Sequence, residues 1–213
     1  MAQNCASLGR VVIAALLLAF TLSGCLGKGG TSTRYYLVDP MVFTVAEPAA
    51  QPLTVDIMDL HVPQYLERFQ IATRTGNNGI VYAEYHQWGE NLRKNLLRTL
   101  ARNLSGLLAT TDVSTPLNRS MAAPDFRVQV HIDQFEQDVD GRVRLKARWQ
   151  ILDARAPKAV PTTHAMELES AHAIDKDDFG PMVAVMTELY GQLAEQIAAG
   201  IPTQAGAGPD PEP

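Results

Sequence analysis

Apolar and polar residues alternate along two neighbouring stretches of the chain, as expected of β-strands that bury one face. In residues 126–133 the even positions are apolar, from Phe126 to Ile132. In residues 143–151 the odd positions are apolar, from Val143 to Ile151. Basic and polar residues fill the positions between them. The two stretches therefore predict a pair of long strands, each with one buried and one wet face.

The segment between these stretches predicts a hairpin. Asp140-Gly141 is the signature of a type I′ turn, which joins antiparallel strands through a two-residue loop. That loop length fixes the register and pairs apolar with apolar residues, and an acid with a base. The expected opposed pairs are Ile132 with Trp149, Val130 with Ile151, and Asp133 with Arg148.

Shorter β patterns precede and follow this hairpin. Gly76-Asn77-Asn78-Gly79 predicts a tight turn, because Gly and Asn tolerate a positive φ. It separates two apolar segments and so predicts a second hairpin. The expected strands outside the long hairpin are residues 35–38, 53–60, 69–75, 80–85 and 163–173.

Two segments have helical periodicity instead. Apolar residues recur at steps of three and four from Trp88 to Leu108 and from Met182 to Ile197. We therefore predict helices over residues 88–108 and 177–199, each with one apolar stripe. A mainly antiparallel mixed sheet with two such helices predicts a layered α/β sandwich, and one domain over residues 34–199.

The N-terminus has the pattern of a secretory signal. Arg10 precedes a short apolar run, Val11 to Leu22, which ends in small residues. Leu22-Ser23-Gly24-Cys25 resembles the bacterial lipoprotein processing box, in which the chain is cleaved before the cysteine and the cysteine receives lipid. We expect a signal peptide over residues 1–24, cleavage between Gly24 and Cys25, and a covalent lipid on Cys25.

This anchor predicts the compartment. Leu26 follows the cysteine where Asp commonly signals inner-membrane retention in enterobacteria, so we expect the periplasmic face of the outer membrane. Residues 25–33 form a glycine-rich, lipidated tether, and residues 200–213 are predicted to be a disordered tail.

Composition narrows the remaining functions. The formal net charge is −5, which argues against nucleic acid as a partner. The chain has two cysteines, Cys5 in the signal peptide and Cys25 at the anchor, so no thiol remains for a disulfide or a thiolate metal site. We expect no cofactor apart from the lipid on Cys25.

We find no catalytic or metal-binding motif. The five histidines are scattered, and His164 and His172 are about 26 Å apart in an extended strand, too far to share a metal. Glu167 and Glu169 could pair on one strand face, although a solvated edge explains them better. The sequence therefore predicts neither a catalytic site nor a metal site.

One loop carries apolar residues that could make contacts. Val62, Pro63, Tyr65 and Leu66 directly follow a predicted strand, where functional residues often lie. We consider them candidate contacts with a partner protein or with further copies of the chain. A packed turn is the alternative.

Several motifs together resemble a known family. The predicted lipidation site is followed by Arg34-Tyr35-Tyr36-Leu37, Val62-Pro63-Gln64-Tyr65-Leu66 and Tyr85-His86-Gln87-Trp88. This order is similar to that of the PqiC/YmbA-like ABC-transport auxiliary lipoproteins. The resemblance implies a fold like the TolB amino-terminal domain and a non-enzymatic role beside MCE-domain proteins, which carry lipids between the two membranes.

The resemblance also implies a possible homo-oligomeric ring that receives an MCE protein. Two alternatives remain open on the sequence. One is an outer-membrane assembly lipoprotein of the LptE type, and the other is a periplasmic enzyme.

Overall fold

The computed structural model describes residues 31–43, 53–76, 78–120, 122–156, 158 and 160–202. All helices and strands given below belong to the compact unit Thr33–Pro213. The predicted signal peptide, the lipidated Cys25 and most of the tether and tail lie outside the described residues. Ile201 is described and is buried, so the packed core extends beyond Ala199.

The described residues of the unit form eight strands and two helices, with a short 3₁₀ helix at Gln64–Glu67. The helices are α1 (Leu92–Leu107) and α2 (Phe179–Ala199). The strands are β1 (Arg34–Tyr36), β2 (Val55–His61), β3 (Gln70–Thr75), β4 (Gly79–Trp88), β5 (Val113–Ser114), β6 (Phe126–Gln137), β7 (Val143–Asp153) and β8 (Thr162–Glu169).

The long strand β6 is the centre of the sheet. On one edge it pairs with β7, which pairs with β8, and both of these pairings are antiparallel. Its other edge pairs in parallel with β2 along Phe126–His131 and with β3 at Gln137. Strand β5 flanks β2, while β4 and then β1 flank β3. The sheet is mixed, and its longest pairings are antiparallel.

Both helices lie on the sheet through their apolar faces. The leucines of α1 and the apolar residues of α2 are buried, together with the inward-facing residues of β2, β6 and β7. Asn91 caps α1 by accepting a hydrogen bond from the Lys94 N–H at 3.2 Å. Among the described residues, no helix has the length and mean hydropathy needed to cross a bilayer.

The structure confirms the layered α/β fold and corrects some boundaries. Trp88 was expected to begin the first helix, but it ends β4, and α1 begins at Leu92. The helical spacing of Trp88 is accidental: its side chain is buried as the last inward residue of a strand. β8 ends at Glu169 rather than at residue 173, because the chain turns there. The hairpin at Gly76–Gly79 is confirmed.

The long hairpin forms, but its predicted register is wrong. The Gly141 N–H donates to the Asp138 carbonyl and the Asp138 N–H donates to the Arg142 carbonyl, so the loop has three residues. Within this loop Gly141 alone has a positive φ, +79°, whereas a type I′ turn requires two such residues. A bulge at Asp133 then shifts the pairing again. The observed pairs are Ile132 with Ala147, Val130 with Trp149, and Val128 with Ile151.

The bulge changes which side chains of β6 face the core, and the alternation of the sequence did not predict this change. It reverses the inward parity of β6, so that Phe135 is buried although Ile132 is also buried. The unpaired Asp133 points to the wet face and still reaches Arg148, with its Oδ2 3.2 Å from Arg148 Nε. The predicted acid–base contact therefore exists, although His131 is the residue opposite Arg148.

Candidate functional site

The loop after β2 is packed more deeply than its sequence suggested. Val62 and Leu66 are 2% and 3% exposed, and both belong to the core. At these two residues the loop is the packed turn that the sequence left open as the alternative, with Leu66 turned inward by the 3₁₀ helix. Pro63 and Tyr65 are half-buried. A contact role for Val62, Pro63, Tyr65 and Leu66 stays a prediction, and of these four residues Pro63 and Tyr65 have side chains that reach the surface.

Tyr65 is part of a polar cluster around a buried carboxylate. The Glu136 side chain is fully buried at the end of β6. Its Oε1 accepts from Arg74 Nε at 2.5 Å, and its Oε2 accepts from the Tyr65 hydroxyl at 2.8 Å and from the Phe135 N–H at 2.9 Å. We call Tyr65, Arg74 and Glu136 the acid cluster. It ties the loop after β2 to β3 and β6.

Burial and charge shift the ionisation of this cluster. Burial raises the pKa of the Tyr65 hydroxyl well above its ordinary value, and the negative charge of Glu136 raises it further. The hydrogen bond to Glu136 raises the pKa of the Arg74 guanidinium. Tyr65 therefore stays protonated, as a donor to Glu136, at any physiological pH. Both shifts favour the forms that hold the cluster together, a protonated Tyr65 and a charged Arg74.

An open groove begins beside Arg74. It has a volume of about 770 Å³ and runs between the β3–β4 hairpin, the β6–β7 loop and the segment leading to α2. Val81, Tyr85 and Val139 contribute exposed apolar surface to it. Its charged residues are Arg74, Glu84, Asp138, Asp140, Lys176 and Asp177. Apolar residues with a charged rim suit a protein segment better than a small molecule held on all sides.

Strand pairing brings together two histidines that are seventy residues apart in sequence. His61 and His131 are opposed in the parallel β2–β6 pair, with ring centroids 5.7 Å apart. His86 stacks on Phe179 at 4.1 Å, and His164 stacks on Trp149 at 5.3 Å. In the parts of the chain that the structure describes, no group of three or more His, Cys, Asp or Glu side chains is placed to hold a metal.

Glu167 and Glu169 form ion pairs with the neighbouring strand and loop. Lys146 Nζ lies 2.6 Å from Glu167 Oε1, and Arg142 and Arg144 lie within 3.6 Å of Glu169. All of these groups are partly exposed on the wet face of the β6–β7–β8 meander. The two carboxylates thus belong to a cross-strand ladder of charges.

The comparisons with known proteins identify the family. The family model described as ABC-type transport auxiliary lipoprotein component matches residues 35–198. The chain belongs to this family. Membership implies a lipoprotein of the cell envelope that accompanies an ABC-type transport system. The acid cluster and the groove both lie within the matched residues.

Solved structures support the fold. One uncharacterized protein shares 22% identity over 80% of this chain and 99% of its own, with a TM-score of 0.62. A protein from Xanthomonas campestris shares 12% identity over 78% of this chain and 93% of its own, with a TM-score of 0.59. The PelC dodecamer from Paraburkholderia phytofirmans has a TM-score of 0.37, too low to bear on assembly. No curated protein matches the chain.

Proposed function

We propose that this auxiliary lipoprotein is a non-enzymatic, outer-membrane-anchored subunit of an MCE/ABC-type lipid transport system that links the two membranes. The family match over residues 35–198 carries the proposal. The acid cluster supports it, because its polar groups bond to one another and hold the loop after β2 in place. A protein with this organisation acts by position and contact.

The anchor is the first testable part. Leu22-Ser23-Gly24-Cys25 predicts cleavage before Cys25 and acylation of its thiol. The variant Cys25→Ser should remain an unprocessed or soluble precursor and should not incorporate a fatty-acid analogue. Equal labelling of the variant and the wild type would rule out Cys25 as the lipidated residue. Fractionation of the labelled protein then distinguishes the outer from the inner membrane.

The contact with an MCE-domain protein is the second part. We place it at the groove, where Val81 and Val139 are 52% and 62% exposed. The double variant Val81→Glu/Val139→Glu should weaken crosslinking to the MCE protein at unchanged thermal stability. Val160→Glu is the matched control, because Val160 is 87% exposed at the opposite end of the long hairpin.

The outcome of crosslinking in cells separates this proposal from the alternatives. Capture of MCE components by the wild type supports the transport role, whereas capture of lipopolysaccharide-assembly proteins alone would favour an LptE-like role. An enzymatic role would require an activity of the purified protein that one polar substitution abolishes. Native mass spectrometry of the lipidated protein tests whether it forms a homo-oligomeric ring.

A further inference from the structure

The segment after β1 is held on α1 by a ladder of uncharged polar side chains. We call Leu37–Phe43 the strap, and Asn95, Thr99 and Asn103, spaced four residues apart on α1, the amide ladder. The Val38 N–H donates to Asn95 Oδ1 at 2.8 Å, while Asn95 Nδ2 and Thr99 Oγ1 donate to the Val38 carbonyl at 3.1 and 2.7 Å. The Met41 N–H donates to Asn103 Oδ1 at 2.9 Å.

The ladder binds backbone groups of the strap, and most of the strap's side chains remain at least partly exposed. Val38 is fully buried, but Leu37, Met41 and Val42 are 40%, 36% and 98% exposed. In residues 31–43 no other side chain is buried. The strap therefore gains one buried side chain and four hydrogen bonds. The adjoining β1 adds a three-residue parallel pairing with β4 and a hydrogen bond between the Tyr36 hydroxyl and His86 Nδ1 at 2.8 Å. Together these contacts are a small hold compared with that of β6 or α1. Segments of this kind open locally before the domain unfolds.

A glycine in α2 makes room for the strap. A Cβ at Gly191 would lie 2.5 Å from Met41 Cγ, so only glycine allows this close approach without a shift. Glycine is unfavourable in the middle of a helix. Its presence at this position is explained by the strap passing over it.

The chemistry of the ladder makes opening reversible. When the strap leaves, the amide and hydroxyl groups of the ladder become hydrated, so no buried polar group is left without a partner. Leucines at the same three positions would instead expose apolar surface on every opening and would hold the strap shut. The buried polar face of α1 thus suits a segment that binds and leaves.

We propose that β1 and the strap form a releasable length of the membrane tether. This inference rests on the proposed anchor at Cys25. In the closed state the tether ends at Thr33, whereas release of Arg34–Phe43 adds ten residues, or up to about 35 Å at about 3.3–3.6 Å per residue. The domain can then reach a partner that stands farther from the membrane, and contact with that partner favours the open state.

A disulfide lock tests the proposal. Met41 Cβ lies 3.6 Å from the Cβ position of Gly191, within the range of disulfides. In the full-length lipoprotein, Met41→Cys/Gly191→Cys should therefore hold the strap closed in the oxidising periplasm. The double variant Met41→Ser/Gly191→Ser is the matched control, since it has nearly the same volume and cannot form the bond. Cells that carry each variant are compared for copurification of MCE components and for resistance to detergent.

The locked variant should lose copurification and resistance to the level of the gene deletion, while the serine control keeps both. Wild-type behaviour of a fully oxidised lock would overturn the proposal. Hydrogen exchange of the wild type gives a readout that is independent of transport: the Val38 and Met41 amides should exchange at least tenfold faster than those of β6. Exchange of these two amides only by global unfolding would also overturn it. If the wild type captures no MCE component, the proposed function fails. The hydrogen-exchange result still shows whether the strap opens before the domain unfolds.

Discussion

The acid cluster and the amide ladder are both buried polar clusters, and they differ in charge. The acid cluster places a carboxylate with no solvent exposure against a guanidinium and a hydroxyl. The amide ladder places two amides and a hydroxyl of α1 against the backbone of the strap. Both connect a loop to the core through side-chain hydrogen bonds. Only the first contains a full charge.

The difference determines which loop can move. Removing a partner from a buried carboxylate leaves a charge without compensation, which costs several kcal/mol. Removing the strap from the amide ladder leaves neutral groups that water can satisfy at little cost. The loop after β2 is therefore fixed by the acid cluster, whereas the strap is held by contacts that can be exchanged for water.

The largest expected effect is at Arg74. Arg74→Met should lower the free energy of unfolding by about 3 kcal/mol, because it leaves Glu136 buried without its cation. We expect the low end of the usual range because the Arg74 side chain is 33% exposed. Urea unfolding measures the loss. Arg148→Met is the matched control: its ion pair with Asp133 is exposed on both sides, so it should cost about 0.2–1 kcal/mol. Equal losses in the two variants would contradict the distinction.

Tyr65→Phe should have the next largest effect. It removes a hydroxyl that donates to Glu136 at 2.8 Å, and hydrogen bonds to charged groups contribute about 1.5–3 kcal/mol. We expect a loss of about 2 kcal/mol in the free energy of unfolding, again from urea titration. Tyr35→Phe serves as the control, since Tyr35 is 66% exposed and should change stability by only a few tenths of a kcal/mol. A neutral Tyr65→Phe would mean that the hydroxyl does not stabilise the carboxylate.

Asn95→Ala should act locally rather than globally. It removes both of the Asn95 hydrogen bonds to Val38, worth about 1–2 kcal/mol for the closed strap, while alanine favours the helix. The Val38 amide should exchange about tenfold faster, and the amide of Val130 in β6 should keep its rate. A parallel change at both amides would show that the strap and the sheet open as one unit.

The smallest effect concerns the acid side of the stability profile. The Arg142 N–H, and then Arg144, hold the pKa of Asp140 below its ordinary value. Asp140 thus contributes stability above the pKa of a free aspartate, about 3.9, and the contribution is lost as the pH falls through its lowered value. Asp140→Asn should lose less stability than the wild type on acidification below about pH 5. Identical profiles in thermal unfolding would contradict this role.

The strands and helices that form the layers of the fold could be predicted because the periodicity of their apolar residues is a local property of the sequence. Alternation from Phe126 to Ile132 and helical spacing around Leu96 each depend on near neighbours. The predicted register was wrong because the three-residue loop and the bulge at Asp133 depend on tertiary packing. The bulge allows Phe135 to be buried. Their only signal was that the apolar parity of β6 changes between Ile132 and Phe135.

The candidate site was harder to predict, because it is made by parallel pairing. Nothing in the sequence near Glu136 indicates that Tyr65 and Arg74, from an earlier part of the chain, pack against it. The same pairing opposes His61 and His131. The amide ladder does have a signal in the sequence. Asn95, Thr99 and Asn103 recur every four residues beside the leucines of α1, and polar residues at this spacing are unusual on a buried helix face.

The central position of β6 has a consequence for the biogenesis of the protein. Val55 of β2 pairs with Phe126 of β6, and Thr73 of β3 pairs with Gln137, so two early strands depend on one that is made much later. A chain that crosses a membrane from its N-terminus therefore exposes an open edge of β2 until β6 has emerged. Unpaired edges invite association with other chains, and such long-range pairings form slowly. The interval between the emergence of β2 and that of β6 is when the chain most needs a holding chaperone.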